Sequence, residues 1–150
     1  MSKLVFARKK SAVIPELRPM YKIGKILLIL KLCCVGGKSS LLKLHLFNWA
    51  MMDKKRMKAL QLSAEKNEML IGVWGIDPSL NMALNYAVSE GLIARTSNGS
   101  YQLTEKSEKF IAGSKLLELF DSDTAELKLI AKKITEAMIT QTAKRWADEI

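Results

Sequence analysis

The sequence predicts a mainly helical domain of the α+β class, a helical bundle with one β-hairpin and a long C-terminal helix. Apolar residues recur at three- to four-residue spacing through most of the chain, which is the period of amphipathic helices. The exception surrounds Asn98-Gly99, the turn pair most typical of a hairpin. With 150 residues, of which 49% are hydrophobic and 26% charged, the chain can bury one ordinary core.

Residues 1–18 are predicted to form a basic, flexible arm, because Pro15 and Pro19 limit regular structure there. No apolar region with a cleavage site follows the basic N-terminus, as a signal peptide would need. The most apolar run, "ILLILKLCCV" at residues 26–35, is about half as long as a membrane span. It is predicted to be a buried helix, and no membrane partner is expected. The adjacent Cys33-Cys34 pair indicates a reduced, cytoplasmic chain.

The first half of the chain predicts three helices. The first covers about residues 21–34 and is apolar around most of its circumference, so we expect it at the centre. Ser39 or Ser40 caps the second, at 41–52. Asp53 caps a short basic helix that ends near Leu62, and "MLIGVWG" at 69–75 is predicted to be a short strand.

A fourth helix and the hairpin follow. Asp77 and Pro78 mark the start of a helix that runs to Ser89 or Glu90, and Gly91 ends it. A two-residue turn at Asn98-Gly99 would pair Thr96 with Tyr101 and Ala94 with Leu103. The residues then predicted to share one buried face are Leu92, Ala94, Tyr101 and Leu103.

The last segment predicts a helix at 105–112, capped by Thr104, and a long helix from Thr124 to near Ile150, started by a capping box of Asp123 and Glu126. The long helix carries two apolar stripes. One contains Leu127, Ile130, Ile134 and Met138. The second needs either a bend that folds the tail back or a partner protein, and its residues are the candidate partner-binding set: Ile139, Ala143, Trp146 and Ile150.

This order of helices and hairpin is that of a winged helix-turn-helix domain, placed at residues 19–113 with a helical extension at 114–150. The segments "ILLILKLCCVGGKSSLLKLHLFNWAM", "DPSLNMALNYAVSEGLI" and "KKITEAMIT" resemble the small winged-helix subunit of ABC-type three-component systems, of which the Lamassu anti-phage and anti-plasmid systems are members. Ser107 departs from the glycine that many winged-helix proteins have after "LTEK". The resemblance implies a non-catalytic subunit that joins a homodimeric SMC-like ATPase, which senses foreign DNA, to an effector such as a nuclease.

Charge is distributed unevenly. The net charge is +9, but residues 1–66 carry +12 and residues 67–150 carry −3. The simplest interpretation is a solvated face. The alternative is non-specific contact with the phosphates of double-stranded DNA. The candidate DNA-binding residues are Arg8, Lys9, Lys10, Lys54, Lys55, Arg56, Lys58 and Arg95.

Base-specific recognition by the fourth helix is not expected. Its sequence "PSLNMALNYAVSEG" offers Asn81, Asn85 and Ser89 but no Lys or Arg, and Glu90 would repel phosphate. The competing hypothesis is an autonomous transcriptional regulator that dimerises through its first and last helices and binds a palindromic site.

Catalysis is not expected either. The single histidine, His45, is interpreted as a packing residue, and the two cysteines lack a neighbouring base. The glycines at 36–37 lack the upstream part of a phosphate-binding loop. The sequence therefore predicts no enzyme, no cofactor and no metal.

Overall fold

The computed structural model describes residues 19–148, and in that part of the chain it contains eight α-helices and a small three-stranded antiparallel sheet. The helices are α1 Pro19–Cys33, α2 Leu41–Met51, α3 Lys54–Lys66, α4 Pro78–Ser89, α5 Glu105–Ser114, α6 Leu116–Leu119, α7 Asp121–Ile130 and α8 Glu136–Asp148. The strands are β1 Lys38–Ser39, β2 Ile93–Arg95 and β3 Tyr101–Leu103, in the order β1-β3-β2. The predicted arm at 1–18 lies outside the described residues.

Helix α1 is the central element, as its sequence predicts. Every residue from Lys22 to Leu30 is buried, and the helix contacts α2, α4, α6, α7 and β3. At its C-terminal end the Nζ of Lys43 donates to the carbonyl of Cys33 at 3.1 Å. A cation at this position satisfies one of the free carbonyls and faces the negative end of the helix dipole. Gly36 and Gly37, both at positive φ, then turn the chain into β1.

The helix starts follow the predicted caps. The side chain of Ser40 accepts from the backbone of Lys43 at the start of α2, and Asp53 accepts from Lys55 at the start of α3. Helix α3 continues four residues beyond the predicted end at Leu62 and stops where Asn67 adopts the left-handed conformation. Ser107 completes a capping box with Thr104 at the start of α5, so its hydroxyl has a defined role there.

The strand predicted at "MLIGVWG" is absent, because these residues form an irregular loop whose polar groups bind side chains instead of a neighbouring strand. The backbone N–H of Leu70 donates to the hydroxyl of Ser63. Ile71 and Trp74 point into the core, and the indole of Trp74 donates to the carbonyl of Leu42 at 3.1 Å. The third strand of the sheet is supplied by β1, which pairs with β3.

The hairpin differs from its predicted register by one residue. Arg95 pairs with Tyr101 and Ile93 with Leu103. The loop contains one residue more than predicted: Thr96 N–H donates to the carbonyl of Ser100, and Gly99 takes φ +86°. A three-residue loop that ends in a left-handed glycine fits the strand twist as well as the two-residue turn does. As a result Ile93, rather than Ala94, is buried.

The long C-terminal helix is broken into α7 and α8, and α7 begins at Asp121 rather than at the predicted capping box. The break occurs at Ala131, which has φ +51° and ψ −138°. The bend buries Ile134, and Thr135 caps α8 by accepting from the backbone of Met138. Glu136 accepts from the backbone N–H of Ser40 at 3.0 Å, which fixes the start of α8 to the start of α2. Of the two alternatives for the second apolar stripe, the structure shows the bend.

Ala131 has a backbone conformation that essentially only glycine adopts without cost, so Ala131→Gly should relieve strain. We expect a gain of about 1 kcal/mol in the free energy of unfolding in urea, because a single strained residue costs about 1–3 kcal/mol. Ala125→Gly, at an exposed position inside α7, is the matched control and should cost about 1 kcal/mol. Equal destabilisation by both substitutions would contradict the strain at Ala131.

Candidate nucleic-acid interface

Helix α4 lies directly before the hairpin, the place that the predicted winged-helix fold would give to a recognition helix. One face, with Leu80, Ala83, Leu84 and Ala87, is buried, and α1 is a main contact of the helix. The solvent face carries no charge. Its exposed side chains are Pro78, Met82, Asn85, Tyr86 and Ser89. Asn81, one of the candidate base readers, is half-buried and hydrogen-bonded to His45.

The N-terminal end of α4 is anchored by a buried charged cluster that sequence reasoning did not identify. The Nζ of Lys22 lies 3.1 Å from Asp77 Oδ2 and 3.3 Å from Asn48 Oδ1, and the Asn48 amide also donates to Asp77. The Lys22 and Asn48 side chains are each about 2% exposed. A lysine that is buried in a mostly apolar helix requires a buried polar partner, and that requirement was the available signal in the sequence.

Asp77 serves both as the counter-ion of Lys22 and as the N-cap of α4. Its Oδ1 accepts from the backbone N–H and the hydroxyl of Ser79. Burial alone would raise the pKa of Asp77, but hydrogen bonds from Ser79, Lys22 and Asn48 outweigh it and hold the pKa well below its usual range. The carboxylate therefore stays ionised while the protein is folded.

His45 connects this cluster to the middle of α4 as a neutral imidazole. The backbone N–H of Asp77 donates to its Nδ1, so Nδ1 carries no proton and Nε2–H donates to Asn81 Oδ1. Burial lowers the pKa of His45, and its contacts with Asn81 and Asp77 only partly offset this. His45 is thus a positioning residue for two elements, in agreement with its interpretation as a packing residue.

The basic residues of α3 do not form one cluster. Lys54, Lys55 and Lys58 are exposed, whereas the guanidinium of Arg56 lies 4.5 Å from the centroid of the Trp49 ring and donates to the Trp49 carbonyl. At about 100° per residue, Arg56 lies roughly 160° from Lys54 and Lys58 around the helix axis. Arg8, Lys9 and Lys10 lie outside the described residues.

The hairpin presents one of the predicted cations. Arg95 is exposed on β2, and its guanidinium lies 5.0 Å from the centroid of the Tyr101 ring. Lys106, which the sequence analysis did not single out, donates to the carbonyl of Glu90 at the C-terminal end of α4. In the sequence, the only feature that set Lys106 apart was its position two residues after Thr104, the N-cap of α5.

A cleft lies between the C-terminal end of α2, the N-terminal end of α3 and the start of α4. We call it the α2–α4 cleft. It has a volume of about 290 Å³. The buried cluster lies at its floor, and Arg56 lies at its rim. The residues that line it include Lys22, Trp49, Met52, Arg56, Ile76 and Asp77.

The candidate partner-binding residues pack on the chain itself. Ile139 is 2% exposed and belongs to the core. Trp146 packs edge-on against Trp74, with ring centroids 4.9 Å apart, and its indole donates to the carbonyl of Gly72 at 2.6 Å. Ala143 is half-buried, and Ile150 lies outside the described residues. As folded, Ile139, Ala143 and Trp146 do not form an exposed apolar face.

The two cysteines are inert in this setting. Burial, with a smaller effect of the neighbouring Cys34, raises the pKa of Cys33 to about 12. Burial also raises the pKa of Cys34. Both thiols are therefore protonated at neutral pH, and a protonated thiol is a poor nucleophile.

Across residues 19–148, no group of three or more His, Cys, Asp or Glu side chains is arranged to hold a metal. No helix in that range has both the length and the apolar character to cross a membrane. Comparison of the chain with protein-family models, curated proteins and solved structures gives no match.

Asp77→Ala should destabilise the fold by about 3 kcal/mol or more, because it removes a helix cap and leaves Lys22 buried without its counter-ion. Asp53→Ala is the matched control: it removes the exposed cap of α3 and should cost only about 1 kcal/mol. Urea denaturation at pH 7 measures both.

The Asp77 carboxylate also makes the free energy of unfolding depend on pH. Because the folded pKa of Asp77 lies below its unfolded value of about 3.9, its contribution is complete above about pH 5 and decreases as the pH falls. The stability difference between wild type and Asp77→Ala should therefore shrink in acid. A constant difference from neutral to acidic pH would contradict this assignment.

Proposed function

We propose that the chain is a non-catalytic winged-helix subunit of a cytoplasmic anti-phage or anti-plasmid complex. It docks on a homodimeric SMC-like ATPase, and on an effector such as a nuclease, and adds non-specific contacts to double-stranded DNA. The observation that carries the proposal is the exposed face of α4, which stands where a recognition helix would stand and carries no charged side chain.

The arrangement of elements supports the winged-helix part of the proposal. β1 follows α1 and pairs with the second strand of a hairpin that directly follows α4. In this interpretation α2 and α4 are the helix-turn-helix pair, α3 is an additional helix between them, and β2–β3 is the wing. The loop of residues 67–77 sets the distance between α3 and α4.

The charge distribution supports non-specific rather than base-specific DNA contact. The exposed candidate cations lie on elements other than α4: Lys54, Lys55 and Lys58 on α3, and Arg95 on the hairpin. Such side chains neutralise phosphates, which positions a protein on DNA without reading its sequence. Asn85 is the one exposed side-chain amide of α4, and a single asparagine can read one adenine at most.

The apolar residues of α4 support a protein partner. Met82 is 69% exposed and Tyr86 is 44% exposed, and their spacing of four residues places them side by side on the helix. Methionine and tyrosine are enriched in the centres of protein interfaces, where charged residues are depleted. This face of α4 is therefore assigned to the ATPase.

The competing hypothesis of an autonomous homodimeric regulator has less support. That hypothesis places the dimer contacts on the first and last helices. The apolar side chains of α1 from Ile23 to Leu30 are buried within the chain itself, so they cannot contact a second copy. Ile139 of α8 is likewise in the core.

The test is affinity purification of the tagged chain at native expression, with nuclease treatment to remove DNA bridging. We expect a large coiled-coil ATPase to be recovered in stoichiometric amount. Met82→Glu should lose it, whereas Leu129→Glu, which changes an equally exposed residue on α7, should retain it. Recovery of nothing but a second copy of the chain would contradict the proposal and favour the regulator.

A further inference from the structure

We propose that the α2–α4 cleft binds an acidic segment of a partner protein that inserts one bulky apolar side chain. This surface is separate from the exposed face of α4. The inference goes beyond the proposed function, because the chemistry of the cleft holds whichever complex contains the chain.

The walls of the cleft are apolar and preformed. Met52 and Ile76 are 52% and 57% exposed, and Trp49 is half-buried beside them. Ile76 cannot retract easily, because the backbone N–H of the following residue, Asp77, is bound to His45. Gly75 packs against Trp49: a Cβ added at Gly75 would be in van der Waals contact with the indole, 3.4 Å from its Cδ1. Exposed apolar side chains held this way gain free energy when a partner covers them.

The floor of the cleft does not need a ligand. Lys22 and Asn48 are buried, and both are hydrogen-bonded to Asp77. No described buried side-chain nitrogen or oxygen lacks a hydrogen-bond partner. Recognition must therefore come from the apolar walls and the rim, which favours a side chain of a protein over a small polar molecule.

The rim is positively charged and has donors to spare. The Arg56 guanidinium makes one hydrogen bond, to the Trp49 carbonyl, and its nearest carboxylate oxygen, on Asp53, is 3.9 Å away. A guanidinium has five N–H donors. Of the residues that line the cleft, Lys22 and Arg56 are cations and Asp77 is the one carboxylate. Asp77 is paired with Lys22, so the charge left over is that of Arg56, and the complementary partner is acidic.

Nucleic acid fits this cleft less well than protein does. Met52 and Ile76 contribute nothing to phosphate contact, and protein–DNA interfaces are more polar than protein–protein interfaces. An apolar anchor in a pocket with a polar rim is instead the usual centre of a protein interface. Arg56 also faces away from Lys54 and Lys58, so those two lysines lie on the outer surface of α3 and not at the cleft.

The experiment uses three short fluorescent peptides and the full chain. The first peptide has glutamates on both sides of one phenylalanine, the second replaces the phenylalanine by alanine, and the third replaces the glutamates by lysines. Anisotropy at low salt measures binding. We expect the first peptide to bind at least about tenfold more tightly than the alanine peptide, the factor that corresponds to burial of one large apolar side chain. It should also bind more tightly than the lysine peptide, because lysines are repelled by Arg56.

Variants locate the site. Ile76→Asp and Met52→Asp should each weaken binding of the first peptide about tenfold, and Arg56→Gln should weaken it less. Val73→Asp is the matched control, because Val73 is in the same loop, is 65% exposed and does not line the cleft. It should bind like the wild type. Thermal unfolding followed by circular dichroism confirms that each variant is folded.

Three results would overturn the inference. The first is equal binding of the phenylalanine and alanine peptides. The second is equal loss with Ile76→Asp and Val73→Asp. The third is a loss of duplex DNA binding in Ile76→Asp that matches its loss of peptide binding, which would assign the cleft to nucleic acid.

Discussion

The buried pair of Lys22 and Asp77 is the interaction on which the arrangement of the domain depends. A charge inside an apolar helix is tolerated only when its partner is fixed in place, and here the partner is the residue that starts α4. The central helix therefore determines where α4 begins. Through the backbone of Asp77 and through Asn81, His45 extends the same control to α2 and to the second turn of α4.

This anchoring divides the surface into parts with different chemistry. The exposed face of α4 is uncharged, the outer side of α3 carries lysines, and the α2–α4 cleft between them is apolar with a basic rim. Because one buried cluster holds α4 and the cleft floor together, these three surfaces keep fixed positions relative to each other. A subunit that joins several partners needs such a fixed arrangement, since preorganised surfaces lose less entropy on binding.

Local signals in the sequence predicted most of the helices. The Ser40, Asp53, Asp77 and Thr104 caps each act over three residues or fewer, so they were visible without tertiary information. The hairpin was placed correctly, but its register was not, because the Asn98-Gly99 pair suits both two- and three-residue loops. The two apolar stripes of the last segment indicated a bend or a partner, but nothing in the sequence located the break at Ala131. Alanine strongly favours helix, and the bend is imposed by the packing of Ile134 and Ile139.

The candidate site was less predictable than the fold. The uncharged face of α4 could be inferred from the composition of the helix. The exposure of Lys54, Lys55 and Lys58 could be inferred from their spacing along α3. Sequence reasoning could not separate Arg56 from those lysines, because its contact with Trp49 depends on how α2 meets α3. The Lys22–Asp77 pair joins residues 55 positions apart, a separation that no local pattern reveals.

The proposal that this domain contacts DNA without reading its sequence can be tested by titrating two short duplexes of unrelated sequence at several salt concentrations. We expect equal affinity for both duplexes and a steep loss of affinity with salt. Lys54→Gln/Lys58→Gln should reduce the log–log slope by about 2, since each phosphate contact contributes about 0.9. A preference of about a thousandfold for one sequence would contradict the account, because that is the scale of specific recognition. Affinity that did not change with salt would contradict it as well.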